Sequence, residues 1–125
     1  MSKPKSHTTE EASNFLVDQL KIDRRKGKYT PDHPVKAKVL AARWNERFGD
    51  NITDVEIREW ANYARGVLGQ PIYSDSNGYS WCIIKQEWDR TKAHLLSRIK
   101  KIHDAATKPD EYWAKLSQPD IFDKD

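Results

Sequence analysis

The chain has 125 residues, 37% of them hydrophobic and 33% charged, with a formal net charge of +3. This suits one small domain with polar ends, since the apolar share is low for a globular chain. No apolar run reaches the roughly 18 residues of a membrane span, and Met1-Ser2-Lys3-Pro4-Lys5-Ser6 leads into no apolar signal core, so a cytoplasmic protein is expected. The single cysteine, Cys82, excludes an intramolecular disulfide and suits a reducing compartment.

Residues 1–7 are polar and expected to be disordered. Thr8-Thr9-Glu10-Glu11 opens a helix, because Thr8 can cap it and Glu11 completes a capping box. Ala12, Phe15, Leu16 and Leu20 share one face, and the pattern fades near Ile22. Asp23 to Pro31 reads as a basic loop. Its Arg24, Arg25, Lys26 and Lys28 are solvated by default, with phosphate contact as the alternative. Asp32-His33-Pro34 is expected to open a second helix with Pro34 in the first turn. Val35, Val39, Leu40, Trp44 and Phe48 carry its apolar spacing, and Gly49 ends it. Thr53 caps a third helix, with Glu56 closing its box. Ile57, Trp60, Ala61, Ala64, Val67 and Leu68 form the apolar stripe, while Asp54, Arg58, Asn62 and Arg65 lie on the other side.

The period then changes. Residues 71–74, the polar turn Asp75-Ser76-Asn77-Gly78 and residues 79–84 read as strand, turn and strand, with Asn77 and Gly78 both tolerant of positive φ. A long helix follows over about 86–107. Trp88, Leu95, Ile99, Ile102 and Ala106 share a seam that Lys92 interrupts. That seam is too short for a coiled coil and serves either as core or as a self-association surface. Lys108-Pro109 is expected to stop the helix, leaving residues 109–125 as an acidic tail with Tyr112, Trp113, Leu116, Ile121 and Phe122. Trp44, Trp60, Trp81 and Trp88 fall on apolar faces and are expected in the core. The fold class is mainly α with a β-hairpin, as one domain over 8–108.

Charge is uneven along the chain. Residues 85–108 carry seven basic and three acidic groups, whereas residues 109–125 carry two and five. The tail can therefore screen a weakly basic body. Catalytic motifs are missing. His7, His33, His94 and His103 stand at no metal-ligand spacing, and neither a phosphate-binding glycine loop nor G-x-S-x-G occurs. Cys82, among Trp81, Ile83 and Ile84, reads as a small buried hydrophobe. The expectation is a non-enzymatic protein with no cofactor and no metal.

The stretch Ile52-Thr53-Asp54-Val55-Glu56-Ile57-Arg58, then Leu68-Gly69-Gln70-Pro71-Ile72, then Gly78-Tyr79, resembles winged-helix domains, most of all the small ones of bacteriophages and prophages. The resemblance covers about residues 35–107, with the wing at about 70–84. It implies DNA binding, with duplex favoured, in transcriptional regulation or replication. Arg58, Asn62 and Arg65 would approach the groove, and Ser74, Ser76 and Asn77 would lie at the wing. Lys36, Lys38, Arg43 and Arg47 would be candidates for phosphate contact. Only Gly49 to Ile52 separate two long helical patterns. Either the motif's short middle helix is missing, or the helix at 8–22 supplies the third packing partner. The alternative function is a winged-helix adaptor that modulates a host or phage protein machine. Expected partners are DNA, a second copy through residues 86–107, and a protein docked on the 109–125 tail, whose Ile121-Phe122 sits between Asp120 and Asp123.

Overall fold

The structure is a computed structural model that describes residues 7–117. The chain forms two compact units, residues 1–91 and residues 92–125. Five elements and the start of a sixth belong to the first unit: α1 (Thr9–Arg25), α2 (Ala37–Phe48), α3 (Asp54–Gly66), β1 (Ile72–Asp75), β2 (Gly78–Trp81) and α4 (Lys85–Ser117). The fold is mainly helical with a two-stranded antiparallel hairpin, as the sequence implied. No helix of the described residues is long and apolar enough to cross a membrane.

Both capping boxes form. Thr8 Oγ1 accepts from the Glu11 amide at 3.1 Å while Glu11 accepts from the Thr8 amide at 2.8 Å. Thr53 and Glu56 do the same for α3, where the Thr53 amide donates to Glu56 at 2.9 Å. Two donors left open at each helix start are thereby satisfied. The core joins Ala12, Leu16, Val17 and Leu20 of α1 to Leu40, Ala41 and Trp44 of α2 and Ile57, Trp60, Ala61 and Ala64 of α3. α1 packs on both α3 and β2, so it supplies a third helix to the α2–α3 pair. Trp44 is buried against Trp60, Phe48 and Phe15, and its indole N–H donates to Asp50 at 2.7 Å.

Several sequence expectations need correction. Pro34 does not start α2. Lys36 precedes the helix in extended conformation, and Val35 pairs with Tyr79 of β2 through two 2.8 Å backbone hydrogen bonds. Burying Val35 completely beside the hairpin satisfies more of its backbone than a solvent-facing first turn would. α1 runs three residues past Ile22, because Asp23 and Arg24 find tertiary partners there and Gly27, at φ +70°, turns the chain only afterwards. α3 ends at Gly66, leaving Val67 exposed. β2 stops at Trp81 instead of reaching Ile84, because its partner Ile72 is preceded by Pro71, which has no N–H to continue the ladder. Ile83 and Ile84 are exposed. Trp81 and Trp88 are only half-buried. Of the seam expected along the long helix, Ile99, Ile102 and Ala106 are exposed and Trp88 and Leu95 half-buried, so it does not join the core cluster.

Two further corrections concern the ends. His7, expected to be disordered, packs its ring on Trp44 and Phe48 at centroid distances of 5.0 and 4.4 Å. Residues 1–6 lie outside the described residues. α4 continues through Pro109 to Ser117. Pro109-Asp110-Glu111 is itself a helix-start sequence, with proline at the first position and acidic residues behind it. The helix therefore loses one hydrogen bond and resumes. The rest of the expected tail, with Ile121-Phe122, lies outside the described residues.

Candidate nucleic-acid interface

The turn between α2 and α3 sets the position of α3. Asn45 holds it from both sides, donating to the Ile52 carbonyl at 3.0 Å and accepting from the Ile52 amide at 2.8 Å. Glu56 is buried beneath this turn. Burial pushes its carboxyl up, but hydrogen bonds from the Thr53 amide and hydroxyl outweigh that and hold it below the ordinary range. With Ile57, Trp60, Ala61 and Ala64 facing the core, helical spacing leaves Asp54, Arg58, Glu59 and Asn62 exposed on the far side.

Arg58 is about 60% exposed and lies 3.7 Å from Asp54 one turn earlier. Such a pair contributes only about 0.3–0.5 kcal/mol, so a phosphate can displace Asp54 readily. Arg65 is held differently. Its guanidinium donates to the Ile72 carbonyl at 3.0 Å, to Ser74 Oγ at 3.1 Å and to Asn62 Oδ1 at 3.2 Å. Three residues expected at the site, Asn62, Arg65 and Ser74, are thus joined by hydrogen bonds, and Arg58 stands one turn before Asn62 on α3. Among them, Arg65 fastens α3 to β1 and Ser74 is a receiving post. The Ser74 amide donates in turn to Thr91 Oγ1, buried at the start of α4.

At the hairpin tip, Ser76 and Asn77 are exposed as expected. Asp75 organises the turn by accepting from the Asn77 amide at 2.7 Å and from the Tyr73 hydroxyl at 2.7 Å. Burial first, and the Asp75 bond second, push the Tyr73 hydroxyl up to about 12. Among the described residues no non-glycine residue has positive φ, so Asn77 does not need its expected tolerance. Gly78, at φ +150°, does need glycine, because a Cβ there would collide with the Val35 carbonyl. That close approach is the Val35–Tyr79 pairing seen from the other side. It brings Lys36 beside the tip, where Lys36 and Asn77 line one hollow of about 420 Å³ with Tyr29, His33 and Val39.

The remaining expected residues scatter. Lys38 lines a different hollow of about 600 Å³ with Ala37, Ala41, Ala42, Ile52 and Asp54, between the starts of α2 and α3. Arg43 faces α1, donating to Asp23 at 2.8 Å and Gln19 at 3.1 Å. Arg47 lies over the Phe15 and Phe48 rings at 5.8 and 5.3 Å. Both therefore stand on the α1 side of α2, and Arg43 is engaged structurally.

Two structural cations escaped the sequence reading. Arg24, expected in a solvated loop, makes a bidentate bond to Glu87 at 3.0 and 2.8 Å and a third bond to the Trp81 carbonyl at 2.9 Å. Those Arg24 bonds hold the Glu87 carboxyl below its ordinary range. Arg90, about half exposed, lies over Tyr73 and donates to its hydroxyl at 3.2 Å. Neither was legible, because their partners stand 63 and 17 residues away. Cys82 is buried, as its apolar neighbours implied, and desolvation pushes its thiol up to about 11. Among the described residues, no three His, Cys, Asp or Glu side chains cluster to hold a metal. Comparison of the chain with protein-family models, with curated proteins and with solved structures finds no match.

Proposed function

We propose that the chain is a non-enzymatic DNA-binding protein of winged-helix type, with duplex DNA as ligand. The observation that carries this reading is the pairing of Val35 with Tyr79. It ties the segment between α1 and α2 to the hairpin by a single β-bridge beside the two-stranded sheet. On this reading α1, α2 and α3 would serve as the three helices of the motif and the hairpin as its wing. Arg58 and Asn62 on α3 have the chemistry to pair with guanine and adenine edges. Arg65 positions α3 against the wing. Lys36, Ser76 and Asn77 suit phosphate contact at one end of the face. The phage or prophage origin, a role in transcriptional regulation or replication, and a cytoplasmic setting rest on the sequence resemblance. The partners proposed are DNA for residues 7–91 and a second copy of the chain for α4.

The test is fluorescence anisotropy of labelled duplexes of mixed sequence at two salt concentrations. Arg58→Ala should lose about 1–3 kcal/mol on preferred sequences. Lys36→Ala should weaken all sequences alike and lower the salt slope by about 0.9. No binding at low salt overturns the proposal.

A second reading has its own support. The exposed face of α3 carries Asp54 and Glu59 around Arg58, and the adjoining hollow is lined by Ala37, Ala41, Ala42 and Ile52. A broken charge pattern beside an apolar hollow suits a protein adaptor better than a phosphate backbone. Ala42→Glu separates the two readings. It blocks a protein docked in the hollow and changes duplex affinity far less than Arg58→Ala does.

A further inference from the structure

The chain passes from α1 to α2 through a tight turn. Thr30 and His33 pair across it by backbone bonds of 3.2 and 2.9 Å, and Val35 is then pinned to Tyr79. These pairings hold the turn beside the hairpin tip, where Tyr29, Asp32, His33, Lys36 and Asn77 share the hollow of about 420 Å³. That volume falls within the range of small-molecule sites.

Four polar groups of this hollow are unengaged. The Tyr29 hydroxyl, the His33 imidazole, the Lys36 ammonium and the Asn77 carboxamide make no hydrogen bond or ion pair among the described residues. The Tyr29 and His33 rings are parallel within 7°, with centroids 6.5 Å apart, so they set one orientation for a flat group entering beside them. Lys28 and Arg43 stand over Tyr29, 5.6 and 5.9 Å from its centre, and the exposed His33 ring offers the open face. Asp32 is the one acidic side chain of the lining, and Arg90 lies 3.5 Å from it and offsets its charge. An aromatic face, a carboxamide and an ammonium group together match a nucleobase and its phosphate. Bases stack on histidine and tyrosine, a carboxamide pairs with the edge of adenine, and an ammonium group meets phosphate. A base within a duplex cannot use such a face, because neighbouring pairs cover both of its own.

We infer that the hollow beside the hairpin tip binds one unpaired adenine nucleotide, with its base on His33, its edge on Asn77 and its phosphate at Lys36. The chemistry is the same for a free nucleotide and for one nucleotide of a single strand. The site goes beyond duplex binding and does not depend on Arg58 or Asn62.

The test is NMR of the isotope-labelled full chain, titrated in turn with deoxyadenosine monophosphate, deoxyribose phosphate and a short single-stranded oligodeoxyadenylate. The nucleotide should shift the His33 ring and Asn77 carboxamide signals and bind roughly fivefold or more tighter than the sugar phosphate, which has no base to stack. His33→Ala and Asn77→Ala should each weaken the nucleotide by roughly fivefold. Both side chains are exposed, so thermal melting of both variants should match that of the wild type. Tighter binding of the oligonucleotide than of the nucleotide supports a single strand as the source, and equal binding supports a free nucleotide. No shift of these signals at ~10 mM nucleotide, an equal response to the sugar phosphate, or an affinity indifferent to both variants overturns the inference. Absent duplex binding overturns the proposed function alone and leaves these readouts standing.

Discussion

Replacing Arg24 with Met removes the link that ties the end of α1 to the start of α4 across the last residue of β2. The variant keeps the length and apolar stem but loses three hydrogen bonds, two to Glu87 and one to the Trp81 carbonyl. Glu87 then retains the Ile83 amide at 2.9 Å and a backbone bond from Ile84. Breaking a buried pair from one side typically costs 3–5 kcal/mol. Both side chains are 14% exposed, so water can reach the orphaned carboxylate, and about 2–3 kcal/mol is the expected loss. For a domain this size that lowers the melting temperature by roughly 10–20 °C. The sign with pH follows from Glu87, whose folded pKa lies below its ordinary 4.5. The contribution is fully present above 4.5 and is lost as pH falls through the lower folded value. Urea unfolding at pH 7 and at successively lower pH, for wild type, Arg24→Met, Glu87→Gln and the double variant, measures the coupling. The gap between wild type and Arg24→Met should close on acidification. A loss under about 0.5 kcal/mol at pH 7, or a gap that does not narrow in acid, refutes the reasoning.

Gly78→Ala should destabilise by about 1–3 kcal/mol, because the added Cβ strains a positive φ and meets the Val35 carbonyl; hydrogen exchange at the Val35 and Tyr79 amides should accelerate with it. Ser13→Ala should be neutral to stabilising by about 1 kcal/mol in a thermal melt, since the Ser13 hydroxyl is fully buried with no hydrogen-bond partner among the described residues. Arg65→Ala should lower both stability and duplex affinity, whereas Arg58→Ala should lower affinity alone. A melting curve run beside the anisotropy titration distinguishes the two. Pro109→Ala should raise helicity at 222 nm and slow amide exchange around Ala105, since it restores a hydrogen bond within α4.

Features governed by neighbours a few residues apart could be read from the chain. The boxes Thr8–Glu11 and Thr53–Glu56, the stripe Ile57, Trp60, Ala61 and Ala64, and the hairpin at Asp75–Gly78 all formed. Features governed by distant partners could not. Proline at a helix start is a sound local rule, yet Val35 pairs 44 residues away and draws the chain straight at Pro34. A helix-face position gives exposure without naming a partner. Arg58 and Asn62 were therefore legible as surface, while the structural roles of Arg65, Arg43 and Arg24 required the fold. Pro109 failed in the opposite way. The local stop signal was real, but so was the start signal in the two residues behind it, and the helix obeyed both.

The most direct test is an anisotropy titration of the full chain against duplex DNA, with Arg58→Ala and Asn62→Ala beside it, at low and near-physiological salt. The account predicts binding that falls steeply with salt and is weakened on preferred sequences by either substitution, with the melting temperature of Arg58→Ala unchanged. Binding absent at low salt, or binding indifferent to both substitutions, contradicts it.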